Sequence, residues 1–246
     1  MDRLLYTAMT GAKHTLGQQA SVANNLANAS THGFRAELSM LRAVPIQGEG
    51  LATRAFVVDS TPGSDFTPGP IQQTGRPLDV AIQGEGWIAV QMDDGSEGYT
   101  RDGNLQVSEN GLLQARGGRL VMGDGGPIAL PPDVRVQIAD DGTISTVPTG
   151  NQPNQVAQVG RIKLVNPPAA LLERGGDGFF RLKSGQQADA AAEVRLAAGA
   201  LEGSNVNVVE QMVTMIALAR QFDVQTKMMQ NAESNDQRAA QLLSHG

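Results

Sequence analysis

The C-terminal stretch, residues 204–243, constrains the fold of this chain more than any other. Apolar or small side chains recur there at steps of three, four or their sums, which is the spacing of one face of an α-helix. These positions are Val209, Met212, Ile216, Ala219, Phe222, Met229, Ala232, Ala239 and Leu243. Asn207 followed by Glu210 resembles a capping box, so the pattern predicts a helix over residues 207–243.

Such a helix would be about 55 Å long, and long periodic helices are typical of coiled coils and bundles. We therefore expect its apolar stripe to be covered by a partner from outside any small core. The alternative is a terminal helix that folds back on its own domain. Met212, Met215, Met228 and Met229 suit a helix that packs against varied neighbours, but they suit ordinary core filling equally well.

Residues 2–28 repeat this pattern at the other end of the chain. Leu5, Met9, Ala12, Leu16, Ala23 and Leu26 are spaced close to the seam of a coiled coil. Gly11 and Gly17 each weaken an isolated helix by about 1 kcal/mol relative to Ala, so this helix needs packing to form. We expect the two terminal helices to meet in a coiled-coil-like region made of residues 1–35 and 204–246.

The N-terminal helix is expected to end in the segment ANNLANASTHGFR, residues 23–35, because Asn and Gly tolerate the left-handed conformation at a helix C-terminus. Residues 36–76 are rich in Pro and Gly and predict an extended linker, with one short strand at residues 55–58. Asn28-Ala29-Ser30 also matches a glycosylation sequon, but a helix-ending turn is the better interpretation of so short a pattern.

From residue 77 to 185 the apolar period changes to two, which predicts a central β-rich domain, a sandwich or partly closed barrel. Predicted strands cover residues 78–82, 87–90, 105–107, 112–113, 119–122, 134–138, 143–147, 161–165 and 179–182. The dipeptides expected to turn between adjacent strands are Asp94-Gly95, Asp102-Gly103, Asn110-Gly111, Asp124-Gly125 and Asp141-Gly142. Residues 186–203 are expected to return the chain to its ends. The fold class is thus a discontinuous α plus all-β architecture.

Three blocks of this sequence resemble the bacterial flagellar rod and hook protein family. They are ANNLANASTHGFR at residues 23–35, TGRPLDVAIQGEGWIAVQ at 74–91 with GYTRDGNL at 98–105, and LEGSNV at 201–206. His32 stands where the family often has Pro, and Trp87 replaces a Phe. The length and both termini are most similar to a proximal rod subunit, and a distal rod or hook-type protein is the alternative.

This resemblance implies a structural subunit exported through the flagellar type III apparatus, without a cleaved signal peptide, to the periplasmic part of the basal body. Its partners would be other rod subunits and copies of itself. The residues expected to make assembly contacts are Leu5, Met9, Leu16, Asn24, Asn25, Leu26, Asn28, Gly33, Phe34, Leu201, Glu202, Ser204, Asn205, Val206, Val209, Met212, Ile216, Phe222, Met229 and Leu243.

Other classes of function have weak support. A net charge of −6 without a basic block argues against nucleic-acid binding, and no apolar run is long enough to predict a membrane span. The chain has no cysteine, and His14, His32 and His245 form no zinc motif. The glycine-rich segments QGEG at 83–86 and GDGG at 123–126 read as hairpin turns, and the Asp-Asp-Gly segments lack calcium-loop spacing. We expect no catalytic site, cofactor or small-molecule substrate; an enzyme acting on cell-wall polymer and a β-domain binding module on a coiled-coil stalk are the alternatives from other classes.

Overall fold

A computed structural model describes residues 3–45, 55–148 and 156–244. The two terminal helices, α1 (Arg3–Ala27) and α2 (Val208–Ser244), lie where they were predicted. Asn207 caps α2, because its Oδ1 accepts hydrogen bonds from the backbone N–H groups of Val209 at 3.1 Å and Glu210 at 3.3 Å. The helix is uninterrupted from this cap to Ser244.

Strands occupy most of the chain between the helices. They are β1 (Glu37–Pro45), β2 (Ala55–Ser64), β3 (Ile71–Gln73), β4 (Val80–Gln83), β5 (Trp87–Gln91), β6 (Glu97–Thr100), β7 (Gln106–Val107), β8 (Leu113–Gln114), β9 (Leu120–Gly123), β10 (Gly126–Pro127), β11 (Val134–Ile138), β12 (Thr143–Pro148), β13 (Ala157–Arg161), β14 (Leu164–Val165), β15 (Leu172–Arg174), β16 (Phe180–Leu182), β17 (Arg195–Ala198) and β18 (Ala200–Glu202). Short 3₁₀ turns lie at Arg116–Gly118 and Ala169–Leu171.

The chain divides into two compact units. The helical unit comprises Met1–Ala29, Ala36–Asp65 and Val206–Gly246, and the β-rich unit comprises Ser30–Arg35 and Phe66–Asn205. Strands β1 and β2 pair antiparallel within the helical unit, and α1 contacts both of them. The expectation of a single short strand between residues 36 and 76 was therefore incomplete, because β1, β2 and β3 all lie in this range.

The β-rich unit contains several sheets, and its described residues form no closed barrel. The largest sheet has nine strands, with the path β15-β16-β6-β5-β9-β8-β7 and with β10 beside β9 and β14 beside β5. Strands β11, β12 and β13 form a second sheet. Strand β17 pairs with β4 and β18 with β3, so residues 195–202 belong to the sheet structure of this unit.

The core of the β-rich unit combines apolar side chains from several sheets. Buried members from different strands include Ile82, Ile88, Leu113, Ile144 and Leu196. A second cluster contains Trp87, Tyr99, Val165 and Phe180. The alternation of buried and exposed positions expected of β structure is clearest in β12, where Ile144 and Thr146 face inward.

Most of the predicted dipeptide turns hold, with one clear exception. Asp94-Gly95 joins the antiparallel strands β5 and β6, and Asp141-Gly142 joins β11 and β12 with the Gly φ at 86°. Asp102-Gly103 is not a hairpin turn, because the strands on either side of it, β6 and β7, are not neighbours. A Cβ atom at Gly103 would lie 1.7 Å from the carbonyl oxygen of Val80, so glycine is required there for a close approach of two backbones.

The segment QGEG at 83–86 was also predicted to be a hairpin turn, and this was wrong. It connects β4 to β5, and those strands belong to different sheets.

Candidate functional site

Helices α1 and α2 pack together within the helical unit. The shielded positions of α2 recur at steps of four and three, as in a heptad seam. This inner seam comprises Gln211, Met215, Leu218, Phe222, Gln225, Met229 and Ala232. The glutamines at two of its positions hydrogen-bond to α1.

The α1 face that is shielded in the same unit carries small and polar side chains. The buried residues of α1 are Ala8, Ala12, Thr15, Val22 and Asn25. Each lies one position before, or coincides with, a residue of the predicted seam, so the seam prediction for α1 was shifted by one residue at most positions. The small side chains permit the two helices to approach closely.

Large apolar side chains instead lie on the outer faces of both helices. Met9 is 51% exposed and Leu16 49% exposed on α1, while Val209 is 71% and Ile216 56% exposed on α2. Met212 and Val213 complete an outer row on α2 with Val209 and Ile216, at the spacing of a single helix face.

The single stripe predicted for α2 was therefore wrong, because its members divide between two faces. Val209, Met212 and Ile216 belong to the outer row, whereas Phe222 and Met229 belong to the inner seam. Of the remaining predicted residues, Leu5 and Leu26 are half-buried. Leu243 lies in α2, and its side chain falls outside the described part of the chain.

The asparagines of the NN-x-x-N motif connect the end of α1 to β1 within the helical unit. The Asn25 side-chain amide makes two hydrogen bonds to the backbone of Glu37: its Nδ2 donates to the Glu37 carbonyl at 3.0 Å, and its Oδ1 accepts from the Glu37 N–H at 2.7 Å. Asn24 Nδ2 donates to Glu37 Oε1 at 2.6 Å, and Asn28 Nδ2 donates to Asn24 Oδ1 at 2.8 Å. These asparagines satisfy backbone groups at the point where the first strand begins.

Residues of all three resemblance blocks meet in a buried charge cluster of the β-rich unit. Arg35 Nη1 lies 2.7 Å from Glu202 Oε1, and Arg101 Nη1 donates to Glu202 Oε2 at 2.9 Å. The side chains of Arg35 and Glu202 are completely buried. Glu202 Oε1 also accepts a hydrogen bond from the Gly69 N–H at 2.9 Å. We call Arg35, Arg101 and Glu202 the arginine–glutamate cluster.

The arginine–glutamate cluster contains two guanidinium groups for one carboxylate. Burial lowers the pKa of Arg101, while the charge of Glu202 opposes this change. Arg101 also donates to the carbonyl oxygens of Ile82 and Gly84. Arg35 Nε and Nη2 have no hydrogen-bond partner among the described residues. The stability of this cluster therefore depends strongly on the single carboxylate of Glu202.

The segments that follow α1 and precede α2 in sequence are joined beside this cluster. The Gly33 N–H donates to the Glu202 carbonyl at 2.8 Å, and a Cβ atom at Gly33 would lie 2.3 Å from the backbone of Arg101. The guanidinium of Arg174 lies over the ring of Phe34, 4.3 Å from its centroid.

Other residues of the LEGSNV block, residues 201–206, are also buried or hydrogen-bonded. Leu201 is buried, and the side-chain amide of Asn205 donates to the Thr67 carbonyl at 3.1 Å. Ser204 and Val206 are half-buried. The sequence predicted assembly contacts for most of these residues, which remains a prediction because the contacts seen here lie within one chain. Arg35 and Arg101 were missed because nothing local shows that they meet Glu202.

The described residues offer little for catalysis or metal binding. Within residues 3–45, 55–148 and 156–244, no three His, Asp or Glu side chains are grouped to hold a metal ion. In the same part of the chain, neither helix is apolar enough over its length to cross a membrane. A polar cavity of about 340 Å³ is lined by Thr31, His32, Asp102 and Arg116, among others. His245 lies outside the described residues.

Asp102 is the acidic residue among those that line this cavity. Burial raises the pKa of Asp102, and the hydrogen bond from the Asn104 N–H acts in the opposite direction. That bond closes a short turn after β6.

Three protein families match separate segments of the chain. The family described as "Flagella basal body rod protein" matches residues 5–35. The "Flagellar hook protein FlgE/F/G D1 domain" matches residues 81–146, and the "Flagellar basal body rod FlgEFG protein C-terminal" family matches residues 197–242. These segments include α1, much of the β-rich unit and α2.

Full-length bacterial proteins are similar to nearly the whole chain. The flagellar basal-body rod protein FlgF of Salmonella typhimurium is 52% identical over 250 residues, which cover 99% of each chain. FlgF of Escherichia coli is also 52% identical over 250 residues, with 99% of each chain covered. FlgF of Caulobacter vibrioides is 32% identical over 250 residues, covering 99% of this chain and 98% of that protein.

Proposed function

Because this chain belongs to the flagellar basal-body rod protein family, we propose that it is a structural subunit of the rod that assembles through the outer faces of α1 and α2. The observation that carries this proposal is the division of α2 into two faces. The inner seam packs with α1, whereas Val209, Met212, Val213 and Ile216 remain exposed in the single chain.

The outer row has the size and chemistry expected of a helix-packing surface. Burying one large aliphatic side chain stabilises a contact by about 1.5–3 kcal/mol. Four such side chains on one face, together with Met9 and Leu16 on α1, supply a substantial gain when another helix covers them. A second copy or another rod subunit with similar terminal helices would supply that cover. Open-ended stacking requires that the contacting faces differ.

We further propose that the subunit belongs to the proximal part of the rod, in the periplasm, and that the flagellar export apparatus delivers it there without cleavage of a signal peptide. The full-length similarity to proteins named FlgF supports this place in the rod. In this proposal the terminal regions, residues 1–35 and 204–246, form the assembly domain, and the central β domain forms the outer wall. The side chains of the terminal regions become fully packed only upon addition to the growing rod.

The experiment is substitution of Ile216→Asp in a strain whose own copy has been deleted. A carboxylate in the outer row must lose its water when another helix covers it, so we expect incorporation into purified basal bodies to fall at least about tenfold. Swimming in soft agar should be lost with it. Gln221→Asp adds the same charge at an exposed polar position of α2 and should leave incorporation unchanged. An Ile216→Asp subunit that is incorporated and supports swimming contradicts the proposal.

A further inference from the structure

We infer that Gln211 and Gln225 set the register in which α1 lies along α2. They occupy two positions of the inner seam that are fourteen residues, or two heptads, apart. Each hydrogen-bonds to a buried polar residue of α1. The other α2 positions of the inner seam that lie between them are Met215, Leu218 and Phe222, which are apolar.

The contact of Gln225 is specific in shape as well as in chemistry. Gln225 Oε1 accepts a hydrogen bond from Thr15 Oγ1 at 3.1 Å, and Thr15 is only 2% exposed. The amide end of Gln225 also lies against Gly11, where an added Cβ would be 2.9 Å from Gln225 Nε2. Gln225 thus fits a notch on α1 formed by a glycine and, one turn later, a hydroxyl group.

The second contact is made by Asn25, which also hydrogen-bonds to the backbone of Glu37 at the start of β1. Asn25 is 3% exposed, and its Nδ2 lies 3.4 Å from Gln211 Oε1. Asn25 is already oriented by the backbone N–H and carbonyl of Glu37. The Gln211 contact therefore connects the register of the helix pair to the start of β1.

Polar contacts can select a register where the small apolar side chains on the shielded face of α1 do not. Sliding α1 by one heptad, about 10 Å, would still place small apolar residues of α1, such as Ala8, Ala12 and Val22, against apolar residues of the inner seam, so apolar burial would change little. The same movement would leave the amides of Gln211 and Gln225 without their partners in a shielded seam. Buried polar residues at seam positions are known to specify register in coiled coils.

This inference deepens the proposed function, on which its consequence for assembly rests. With the register set, Met9 and Leu16 on α1 keep a constant position relative to the outer row on α2. A helix pair with several registers would present several different surfaces to a neighbouring subunit.

The test uses the absence of cysteine in this chain. Lys13→Cys and Lys227→Cys are introduced at exposed positions of α1 and α2 and labelled with nitroxides, and the spin–spin distance is measured in the full-length chain. We expect one narrow distance distribution. The double substitution Thr15→Val and Gln225→Leu removes both partners of the hydrogen bond, so neither group is left unpaired. We expect it to keep the helix content and to add a second, longer distance in more than about 10% of molecules.

Gln221→Leu is the matched control, since it makes the same change at an exposed position of α2 and should keep a single distance. A parent chain with a broad distribution, or a double variant that keeps the single distance of the parent, overturns the inference. If the double variant loses helix content, Gln225→Asn, which shortens the amide by one methylene, replaces it. Retention of a single distance in that variant also overturns the inference.

Incorporation into basal bodies is measured separately for the same variants. If the double variant shows two registers but is incorporated normally, the register inference stands and its consequence for assembly fails. If Ile216→Asp is incorporated normally, the proposed function fails, whatever the distance measurements give.

Discussion

The β-rich unit and the helical unit bury their apolar side chains to very different extents. In the β-rich unit, Ile88, Leu113, Ile144 and Leu196 are completely buried, and strands from several sheets share one core. In the helical unit, the buried apolar side chains of the helices are Ala8, Ala12, Val22 and Leu218 among the described residues, while Val209 and Ile216 are more than half exposed. The first unit satisfies its own apolar surface. The second leaves large apolar side chains exposed, which is the kind of surface that the proposed assembly would cover.

The two units also differ in the kind of polar group that they bury. The β-rich unit buries an unbalanced group of charges, whereas the helical unit uses neutral amides whose hydrogen bonds are paired. A buried charge requires a rigid environment that supplies all of its partners, because leaving it unpaired costs much free energy. Neutral hydrogen-bonded pairs at a helix seam can also specify geometry, and leaving one of them unpaired costs less free energy. Substitutions should therefore have their largest effects in the β-rich unit.

The largest effect is expected for Glu202→Gln. This change removes the carboxylate that contacts both buried guanidinium groups, those of Arg35 and Arg101, and it should lower the free energy of unfolding of the β-rich unit by about 3–5 kcal/mol. Denaturant unfolding followed by fluorescence measures it, because the chain's single tryptophan, Trp87, is buried in this unit. Asp177→Asn removes a surface partner of Arg181 and should change the value by about 0–1 kcal/mol. Equal effects of the two substitutions would show that the cluster has no special importance.

The second prediction compares two isoleucines directly. Ile144→Ala empties part of the β core and should lower the free energy of unfolding by about 2–5 kcal/mol. Ile216→Ala in the outer row should change the stability of the isolated chain by no more than about 0.5 kcal/mol, since that residue is already 56% exposed. Thermal or denaturant unfolding of the two variants tests this. If Ile216→Ala destabilises the lone chain as much as Ile144→Ala does, the helical unit is complete in itself, and the contrast between the units is lost.

Asn25→Ala should have a smaller and more local effect. It removes the amide that brackets Glu37 and contacts Gln211, and leaving these groups unpaired costs about 1–3 kcal/mol. Hydrogen exchange followed by mass spectrometry should show faster exchange in peptides from α1 and β1. Asn231→Ala removes an exposed amide of α2 and should leave exchange in those peptides as in the parent. Unchanged protection in the Asn25→Ala chain would show that the motif does not stabilise the helical unit.

How far the sequence predicts this molecule depends on whether the governing contact is local. The ends of both helices and the Asn207 cap follow from helical periodicity and capping chemistry within a few residues of each other. The hairpin at Asp141-Gly142 follows from a dipeptide that accepts positive φ.

Non-local contacts were not predictable in this way. Hydrophobicity alone assigned α2 to one stripe, because Gln211 and Gln225 occupy seam positions that an apolar pattern leaves out. Arg35 and Arg101 are far in sequence from Glu202, and no local spacing indicates that they meet. Asp102-Gly103 has the composition of a hairpin turn, but the approach of the Val80 backbone determines its role.

The last prediction concerns pH and again distinguishes the units. Burial, and to a smaller extent the charge of Glu97, raises the pKa of Tyr99 from 10.0 to about 12, although the Ala188 N–H that donates to its hydroxyl acts in the opposite direction. The unfolded chain therefore ionises this phenol at lower pH than the folded chain. The stabilisation is fully present below pH 10 and is lost as pH rises from 10 toward 12.

Free energies of unfolding measured by Trp87 fluorescence across that range should fall with pH in the parent chain. Tyr99→Phe should have a lower starting stability, because the Ala188 N–H loses its acceptor, but a flatter dependence on pH. Tyr6→Phe, at an exposed position of α1, should retain the slope of the parent. If Tyr6→Phe rather than Tyr99→Phe flattened the slope, water would reach the core of the β-rich unit. A closed core could then no longer explain why substitutions in the β-rich unit have larger effects than substitutions in the helices.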